Sequence, residues 1–194
     1  MKQAGRIAAL AVLALSTNAL LAQAAATAIP ALPRPAGSIA GRADWPKAKP
    51  EDVKSPEAIL NAVYSVISGG NRMRSLFVPD ARLIPAVAAS VAHGGVAHSD
   101  AIMLTVDGYI ERSNGRLTSD GFFERSIHNE IEQFGNIVQV WSTYESRHNL
   151  DDPKPFARGI NSFQLLKDGD RYWVVNIFWD SESSAKLIPA KYLP

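Results

Sequence analysis

A change of hydrophobic periodicity at Gly121 is the feature that most constrains how this chain can fold. Before it, apolar residues recur at helical spacing, and after it the sequence is extended and β-rich. Four such runs follow, at about 122–133, 136–148, 156–167 and 171–182. They are connected by Phe134-Gly135-Asn136, by a longer segment from Asn149 to Pro155, and by Lys167-Asp168-Gly169-Asp170. Because the first and last connections are turn signals of hairpin length, the pattern predicts consecutive strands in an antiparallel meander.

Helices are predicted in the part of the domain that precedes Gly121. Ser55-Pro56-Glu57 is typical of a helix start, because Ser accepts from unpaired N–H groups, Pro fits the first turn and Glu faces the positive end of the dipole. Gly69-Gly70 ends this helix, whose apolar stripe contains Ile59, Val63, Val66 and Ile67. A later helix is predicted after a cap at Ser99 or Asp100, with one face formed by Ile102, Val106, Tyr109 and Ile110.

Two shorter elements complete the prediction, a short helix at 72–77 and a strand at 81–87. Helices followed by strands predict an α+β fold, in which the helices pack on one face of a curved antiparallel sheet.

The first 24 residues have the order of a secretory signal peptide. Lys2 and Arg6 give a positive start, residues 7–21 are almost wholly apolar, and Ala22-Gln23-Ala24 offers small residues to a signal peptidase. A retained membrane anchor is the alternative, but the run is short for a span of about 20 residues and contains Asn18. We therefore expect cleavage near Ala24, no stable membrane anchor, and a periplasmic or secreted protein.

The rest of the chain divides into three parts. Residues 25–50 contain five prolines and predict a flexible linker. Residues 51–182 form the predicted domain, and 183–194 form a C-terminal tail, for which packing on the domain and covering a partner surface both stay open.

Composition and motifs exclude several classes of function. There is no cysteine, which excludes disulfides and thiol catalysis. Removal of residues 1–24 leaves 18 basic against 19 acidic residues without a basic patch, so no nucleic-acid partner is predicted. No serine-hydrolase, phosphate-loop or dinucleotide motif is present, and no cofactor is predicted. His93 and His98 lack further ligands, and Asp151-Asp152 precedes Pro153 as a turn would, so no metal site is predicted either.

The end of the domain resembles the terminal hairpin of SnoaL-like proteins, members of the nuclear transport factor 2-like superfamily. The resemblance rests on Arg158-Gly159-Ile160-Asn161-Ser162-Phe163-Gln164, on Asp168-Gly169 and on Tyr172-Trp173-Val174-Val175, and with the element order it covers about 51–182. It implies a cone-shaped half-barrel with a pocket between sheet and helices. The superfamily includes isomerases, cyclases, dehydratases, hydrolases and non-catalytic binding domains, so the fold does not decide the function. The isomerase set of an Asp base, a Tyr and a protonated Asp is not assigned in this chain.

Strand alternation yields the candidate site residues. In the last run Trp173, Val175, Ile177 and Trp179 share one face, and the resemblance favours the Trp179 face as the pocket side. Tyr144 shares a face with Val138, Val140 and Ser142, which predicts an inward hydroxyl that can bind a ligand. Glu145 and Arg147 fall on the opposite face, where a surface pair with Arg158 is the simpler interpretation; Arg158 also stays a candidate ligand contact.

Two further candidates carry polar chemistry. His128 could act as a general base beside Glu130, but both are on the face opposite Ile127 and Ile131, so a buried isoleucine face would leave His128 in solvent. Asn161 shares an otherwise apolar face with Phe163 and Leu165, which fits a pocket amide or an inter-strand hydrogen bond.

Three functions are compatible with these residues. We favour an exported domain that binds a small, mainly apolar ligand through Tyr144, Asn161, Trp179, His128 and Arg158. The first alternative is a cofactor-free isomerase, lyase or cyclase in which His128 is the base and Tyr144 polarises a carbonyl. The second is a homodimeric interaction module that uses the outer face of 171–182.

Overall fold

The computed structural model of the chain describes residues 39, 42, 44–67, 72–87, 100–114 and 121–194. Its helices are α1 (Pro50–Val53), α2 (Pro56–Val66), α3 (Met73–Leu76) and α4 (Val106–Asn114). Its strands are β1 (Phe77–Val87), β2 (Asp100–Ala101), β3 (Phe123–Phe134), β4 (Ile137–Arg147), β5 (Ala157–Asp168) and β6 (Arg171–Ser181). They form an open sheet in the order β2-β1-β6-β5-β4-β3, which confirms the predicted α+β class.

The predicted meander is present from β3 to β6, and all three of its pairings are antiparallel. Gly135 and Gly169 occupy the two hairpin turns with φ of 56° and 58°, a left-handed conformation that glycine adopts without steric cost. The turn signals in the sequence therefore correspond to the backbone that they predicted.

Strand β1 adds a feature that the sequence did not predict, because it pairs with β6 in parallel and makes the sheet mixed. The helix expected after Ser99 or Asp100 begins instead at Val106. The residues before it are extended: β2 pairs with the end of β1, and the backbones of Leu83 and Leu104 exchange two hydrogen bonds of 2.9 Å. Pairing with β1 thus overrides the local helical pattern, and the Thr105 hydroxyl caps α4 by accepting from the Gly108 N–H at 3.0 Å.

The core lies between α2 and the inner face of the sheet. Helix α2 contributes Ile59, Leu60 and Val63, and the sheet contributes Val138, Val140, Phe163, Leu165, Val174 and Ile177. Each fully buried aliphatic or aromatic side chain of this kind contributes roughly 1.5–3 kcal/mol to folding.

Two β-bulges change which side chains face this core. On β3, Ser126 is opposite Tyr144 and His128 is opposite Thr143, so Ile127 is an extra residue. On β6, Leu165 is opposite Val174 and Gln164 is opposite Asn176, so Val175 is extra. An extra residue shifts the alternation of side chains between the two faces of the sheet by one position. Even-numbered residues before each bulge therefore share a face with odd-numbered residues after it.

Both ends of the described chain contact the domain. The Trp45 indole, within the segment predicted as a linker, donates to the Phe77 carbonyl at 2.9 Å. In the tail, Ile188 is buried, and the Tyr192 carbonyl accepts from the Thr143 hydroxyl at 2.5 Å. Packing on the domain is therefore the arrangement adopted by 183–194. The predicted signal peptide and most of the linker lie outside the described residues. Among the residues that are described, none belongs to a helix of the length and hydropathy needed to cross a membrane.

Candidate functional site

An inner cavity of about 220 Å³ opens between the helices and the inner face of the sheet. Most of its wall is apolar or aromatic, and its polar groups come from Glu124, Asn161 and the Tyr109 hydroxyl. The remaining lining residues are Ile67, Leu83, Phe122, Ile177 and Trp179. An apolar cavity with a few convergent polar groups is the usual form of a small-molecule site.

Glu124 is the acidic group of this cavity. Glu124 pairs with Ser146 of β4 and precedes the bulge in β3. At this position its side chain points to the inner face of the sheet. Its Oε2 accepts from Ser146 Oγ at 3.0 Å, and its Oε1 lies 3.4 Å from Asn161 Nδ2. Burial raises the pKa of Glu124 to about 7, and the hydrogen bonds from Ser146 and Asn161 oppose that rise. The carboxyl can therefore release or accept a proton near neutral pH.

A chain of hydrogen bonds holds Asn161 in place beside Glu124. The Asn161 amide donates to the Tyr64 hydroxyl at 3.0 Å, and that hydroxyl is hydrogen-bonded to Ser142 Oγ at 2.7 Å. Ser142 in turn donates to Ser126 Oγ at 3.1 Å. Burial raises the pKa of Tyr64, so its hydroxyl stays protonated at physiological pH. The network links α2 to three strands and fixes which way the Asn161 amide points.

The aromatic wall is also held by specific contacts. The rings of Tyr109 and Trp179 meet edge to face, with centroids 6.3 Å apart and an angle of 85°. The Tyr109 hydroxyl donates to the Ile67 carbonyl at 3.3 Å, which ties α4 to the end of α2. These contacts give the cavity a preformed wall.

A second, outer cavity of about 440 Å³ lies between α2 and strand β3. It shares Glu124 with the inner cavity, and its other lining residues are Asn61, Tyr64, Ser65, Phe123, Arg125, Ser126, Arg147 and Leu150. The guanidinium groups of Arg125 and Arg147 both bind Glu145 Oε1, at 2.6 Å and 3.0 Å. Burial works against ionisation of Glu145, but the hydrogen bonds from the two arginines hold its pKa below the usual range.

The structure places two of the predicted site residues in the inner cavity. Asn161 and Trp179 are cross-strand partners on β5 and β6, and both belong to its wall. Tyr144 points inward as predicted, but it lies outside the cavity wall, where its hydroxyl is hydrogen-bonded to Ser181 Oγ at 3.0 Å. Burial raises the pKa of Tyr144 to about 12, so this hydroxyl is neutral.

His128 and Arg158 are not brought to this cavity. The β3 bulge puts His128 on the outer face opposite Thr143, where its Nε2 lies 2.8 Å from Glu130 Oε1. This is the solvent-side arrangement that the sequence had left open. Arg158 pairs with Glu182 at 3.1 Å instead of with Glu145.

Strand β6 corrects the expected grouping of Trp173 with Trp179. The extra residue Val175 lies between them, so Trp173 is out of phase with Ile177 and Trp179. The indole of Trp173 instead packs under the Arg171 guanidinium, whose carbon lies 3.2 Å from the ring centroid.

The residue that sequence reasoning missed is Glu124. Counting alternate positions back from Ile131 through Ile127 assigns Glu124 to the outer face, and only the bulge reverses this assignment. Tyr64 and Tyr109 were missed for a different reason, because their importance depends on contacts of α2 and α4 with distant strands.

Neither a metal site nor a cofactor motif is evident in the described part of the chain. Within those residues, no three His, Asp or Glu side chains converge as a metal ion would require. His93 and His98 lie outside the described residues.

A third cavity, of about 550 Å³, lies between the outer face of the sheet and the C-terminal tail. Trp141, Phe178 and Tyr192 are among its lining residues, and both Trp141 and Phe178 keep substantial exposed surface. Homodimerisation through this face stays a prediction.

Comparison with known proteins adds evidence on the fold. No protein-family model and no curated protein matches the chain. A solved structure from Thiobacillus denitrificans, named for the calcium/calmodulin-dependent protein kinase type II association domain, matches with a TM-score of 0.51 and 10% identity over 68% of this chain and 98% of that one.

Two further solved structures match less closely. A nuclear transport factor 2-like protein of unknown function from Shewanella baltica matches with a TM-score of 0.42 and 12% identity, over 67% of this chain and 99% of that one. A Parabacteroides distasonis protein named for ketosteroid isomerase matches with a TM-score of 0.45 and 14% identity, over 72% of this chain and 96% of that one.

These likenesses concern the fold alone. The chain has the α+β fold that its element order predicted, and this fold is similar to that of the Thiobacillus denitrificans structure.

Proposed function

We propose that this protein binds a small, mainly apolar ligand in the inner cavity. The observation that carries the proposal is the meeting of Glu124 and Asn161 in a wall that is otherwise largely apolar and aromatic. Below a pH of about 7 the Glu124 carboxyl is protonated and can donate a hydrogen bond to a ligand carbonyl or hydroxyl. Apolar contacts then supply binding free energy, and the polar pair orients the ligand.

The size of the cavity limits the ligand. An apolar cavity of about 150 Å³ accommodates benzene, so 220 Å³ corresponds to roughly nine non-hydrogen atoms. A cyclic ketone or a small aromatic alcohol has this size and carries a suitable oxygen.

Calorimetric titration with a series of cyclic ketones of increasing ring size tests the proposal. We expect affinity to rise with ring size and then to fall when the ring exceeds the cavity. Ile177→Phe adds volume to the wall and should abolish binding, whereas Val175→Phe, at a half-exposed bulge position on the same strand, should not. The proposal fails if no ketone binds to the wild type, or if both variants bind as the wild type does while circular dichroism shows them folded.

A cofactor-free isomerase or lyase is the second candidate function, and Glu124 is a better candidate than His128 for its catalytic base. A carboxylate with a pKa of about 7 can remove a proton from the carbon beside a carbonyl. The Asn161 N–H that lies 3.4 Å from Glu124 would leave that contact and donate to the carbonyl oxygen as it becomes negative. In an isomerisation the proton is transferred from carbon to Glu124 and returns to another carbon of the same molecule; in an elimination Glu124 returns it to the departing group, so neither reaction needs another reactant.

Deuterium exchange at the α-carbon of a bound ketone, followed by NMR, distinguishes catalysis from binding. We expect the exchange rate to rise with pH through about 7, as Glu124 ionises, and to be lost in Glu124→Gln. Equal exchange in the wild type and in Glu124→Gln would exclude Glu124 as a base. His128→Ala is the matched control, because His128 lies on the outer face.

Export is part of the proposal and is supported by the residues of the N-terminal segment. Lys2 and Arg6 precede the apolar run, and Ala22-Gln23-Ala24 follows it. Expression of the full chain in a Gram-negative host should yield a periplasmic protein whose N-terminal residue is Ala25 or a near neighbour. Recovery of the intact chain from the cytoplasm would contradict this prediction.

A further inference from the structure

We propose that the ligand of the inner cavity is an amphiphile whose anionic carboxylate occupies the outer cavity, beside Arg125. This inference rests on the proposed function and names the chemical class of the ligand. It starts from the position of Glu124, which belongs to the walls of both cavities and lies at the boundary between them. In the proposed complex, a ligand too long for the inner cavity extends past Glu124 into the outer one.

The outer cavity differs from the inner one in its charge. Two guanidinium groups, from Arg125 and Arg147, form part of its wall, and they share the single carboxylate of Glu145. Among the described residues this cluster retains one positive charge that Glu145 does not compensate. Glu145 itself does not belong to the wall, so the arginines and not their partner face the space.

The two arginines differ in how many of their donors are engaged. Arg147 is largely buried, binds Glu145 through Nε and Nη2, and donates through Nη1 to the Asp152 carbonyl. Arg125 binds Glu145 through Nε and Nη2, and its side chain is 68% exposed. Its Nη1 group therefore remains for a ligand, and a guanidinium presents N–H donors in a geometry that suits a carboxylate.

The other polar groups of the outer cavity fit the same ligand. Asn61, Ser65 and Ser126 contribute uncharged polar side chains around the space, and the Tyr64 hydroxyl is neutral. Glu124 is the one acidic residue of this wall, and it lies at the boundary with the inner cavity. An alkyl chain in the inner cavity and a carboxylate near Arg125 therefore match the polarity of the two walls.

The combined space sets the length of the ligand. The inner cavity accommodates roughly nine non-hydrogen atoms when filled, and a flexible chain fills it less completely than a ring does. A medium-chain alkanoate of about eight carbons places its chain inside and its carboxylate outside. Octanoate is therefore the probe, and octan-1-ol is the uncharged control with the same number of carbons.

Isothermal titration calorimetry with both probes tests the inference at pH 7. We expect octanoate to bind the wild type about tenfold more tightly than octan-1-ol does, because a charged hydrogen-bonded pair contributes about this factor. Arg125→Gln should weaken octanoate binding about tenfold and leave octan-1-ol unchanged. Sodium chloride should weaken octanoate binding in the wild type and have little effect in Arg125→Gln.

Arg112→Gln is the matched control, because Arg112 is an exposed arginine on α4 that contributes to neither cavity wall. The inference is overturned if octan-1-ol binds the wild type as tightly as octanoate does, or if Arg125→Gln weakens both probes equally. In those cases the proposed function stands, because an uncharged ligand still binds. If neither octanoate, octan-1-ol nor any cyclic ketone binds the wild type, the proposed function fails as well.

Discussion

Replacing Glu124 with Gln should make the stability of this protein less dependent on pH. The substitution keeps the shape of the side chain and its capacity to bind Ser146 and Asn161, but it removes the ionisable group. Because Glu124 lies in a largely apolar cavity, its charged form is disfavoured in the folded state. The unfolded chain hydrates the same carboxylate without this penalty.

The sign and the size of the effect follow from the two pKa values. The pKa of Glu124 is about 7 when the protein is folded, against an ordinary value of 4.5. Below 4.5 both states are protonated and Glu124 contributes no difference. Between 4.5 and 7 the folded state holds the proton while the unfolded state releases it, so wild-type stability falls as pH rises. Above about 7 the full loss, roughly 3 kcal/mol at about 1.4 kcal/mol per pH unit, is present.

Urea unfolding followed by circular dichroism, repeated across this pH range, measures the effect. We expect the wild type and Glu124→Gln to have similar unfolding free energies at about pH 4, and Glu124→Gln to be more stable by roughly 3 kcal/mol at about pH 8. Glu132→Gln is the control, since Glu132 is exposed on the same strand. A difference between Glu124→Gln and the wild type that stays constant with pH would refute the reasoning. It would mean that water reaches the Glu124 carboxylate.

The remaining predictions concern packing and capping, and urea unfolding measures each. Gly159→Ala should cost about 1–3 kcal/mol, because a Cβ there would lie 2.5 Å from the Tyr144 hydroxyl and 2.3 Å from a carbonyl of the neighbouring strand. Leu60→Ala in the core should cost about 2–5 kcal/mol, whereas Leu150→Ala on the surface should change stability by less than about 0.5 kcal/mol. Ser55→Ala removes the cap of α2, a 3.1 Å bond to a backbone N–H, and should cost about 1 kcal/mol.

Each of these results can contradict the structure. A Gly159→Ala variant as stable as the wild type would mean that Tyr144 does not lie over Gly159. Equal losses from Leu60→Ala and Leu150→Ala would place α2 away from the sheet. No loss from Ser55→Ala would place the start of α2 elsewhere.

Part of the candidate site could be predicted from strand alternation alone. Asn161 and Trp179 were predicted as pocket residues and lie in the inner cavity wall, because β5 is regular around Asn161 and the resemblance favoured the Trp179 face. Tyr144 was predicted to point inward and does so, since β4 pairs with β5 without a bulge from Val138 to Ser146. Its hydroxyl nevertheless binds Ser181, a contact that depends on the pairing of three strands.

The sequence by itself determined the element order, the hairpin turns and the inward phase of the regular strands. These properties are local: Gly135 and Gly169 adopt left-handed turns, and a strand repeats every two residues whatever lies beside it. Only the tertiary structure decided where the extra residues Ile127 and Val175 fall, because a bulge exists only relative to a partner strand. The bulge at Ile127 turned Glu124 inward, and burial there raised its pKa. The inward position of Glu124 thus depends on strand pairing, which cannot be predicted from the periodicity of a single strand.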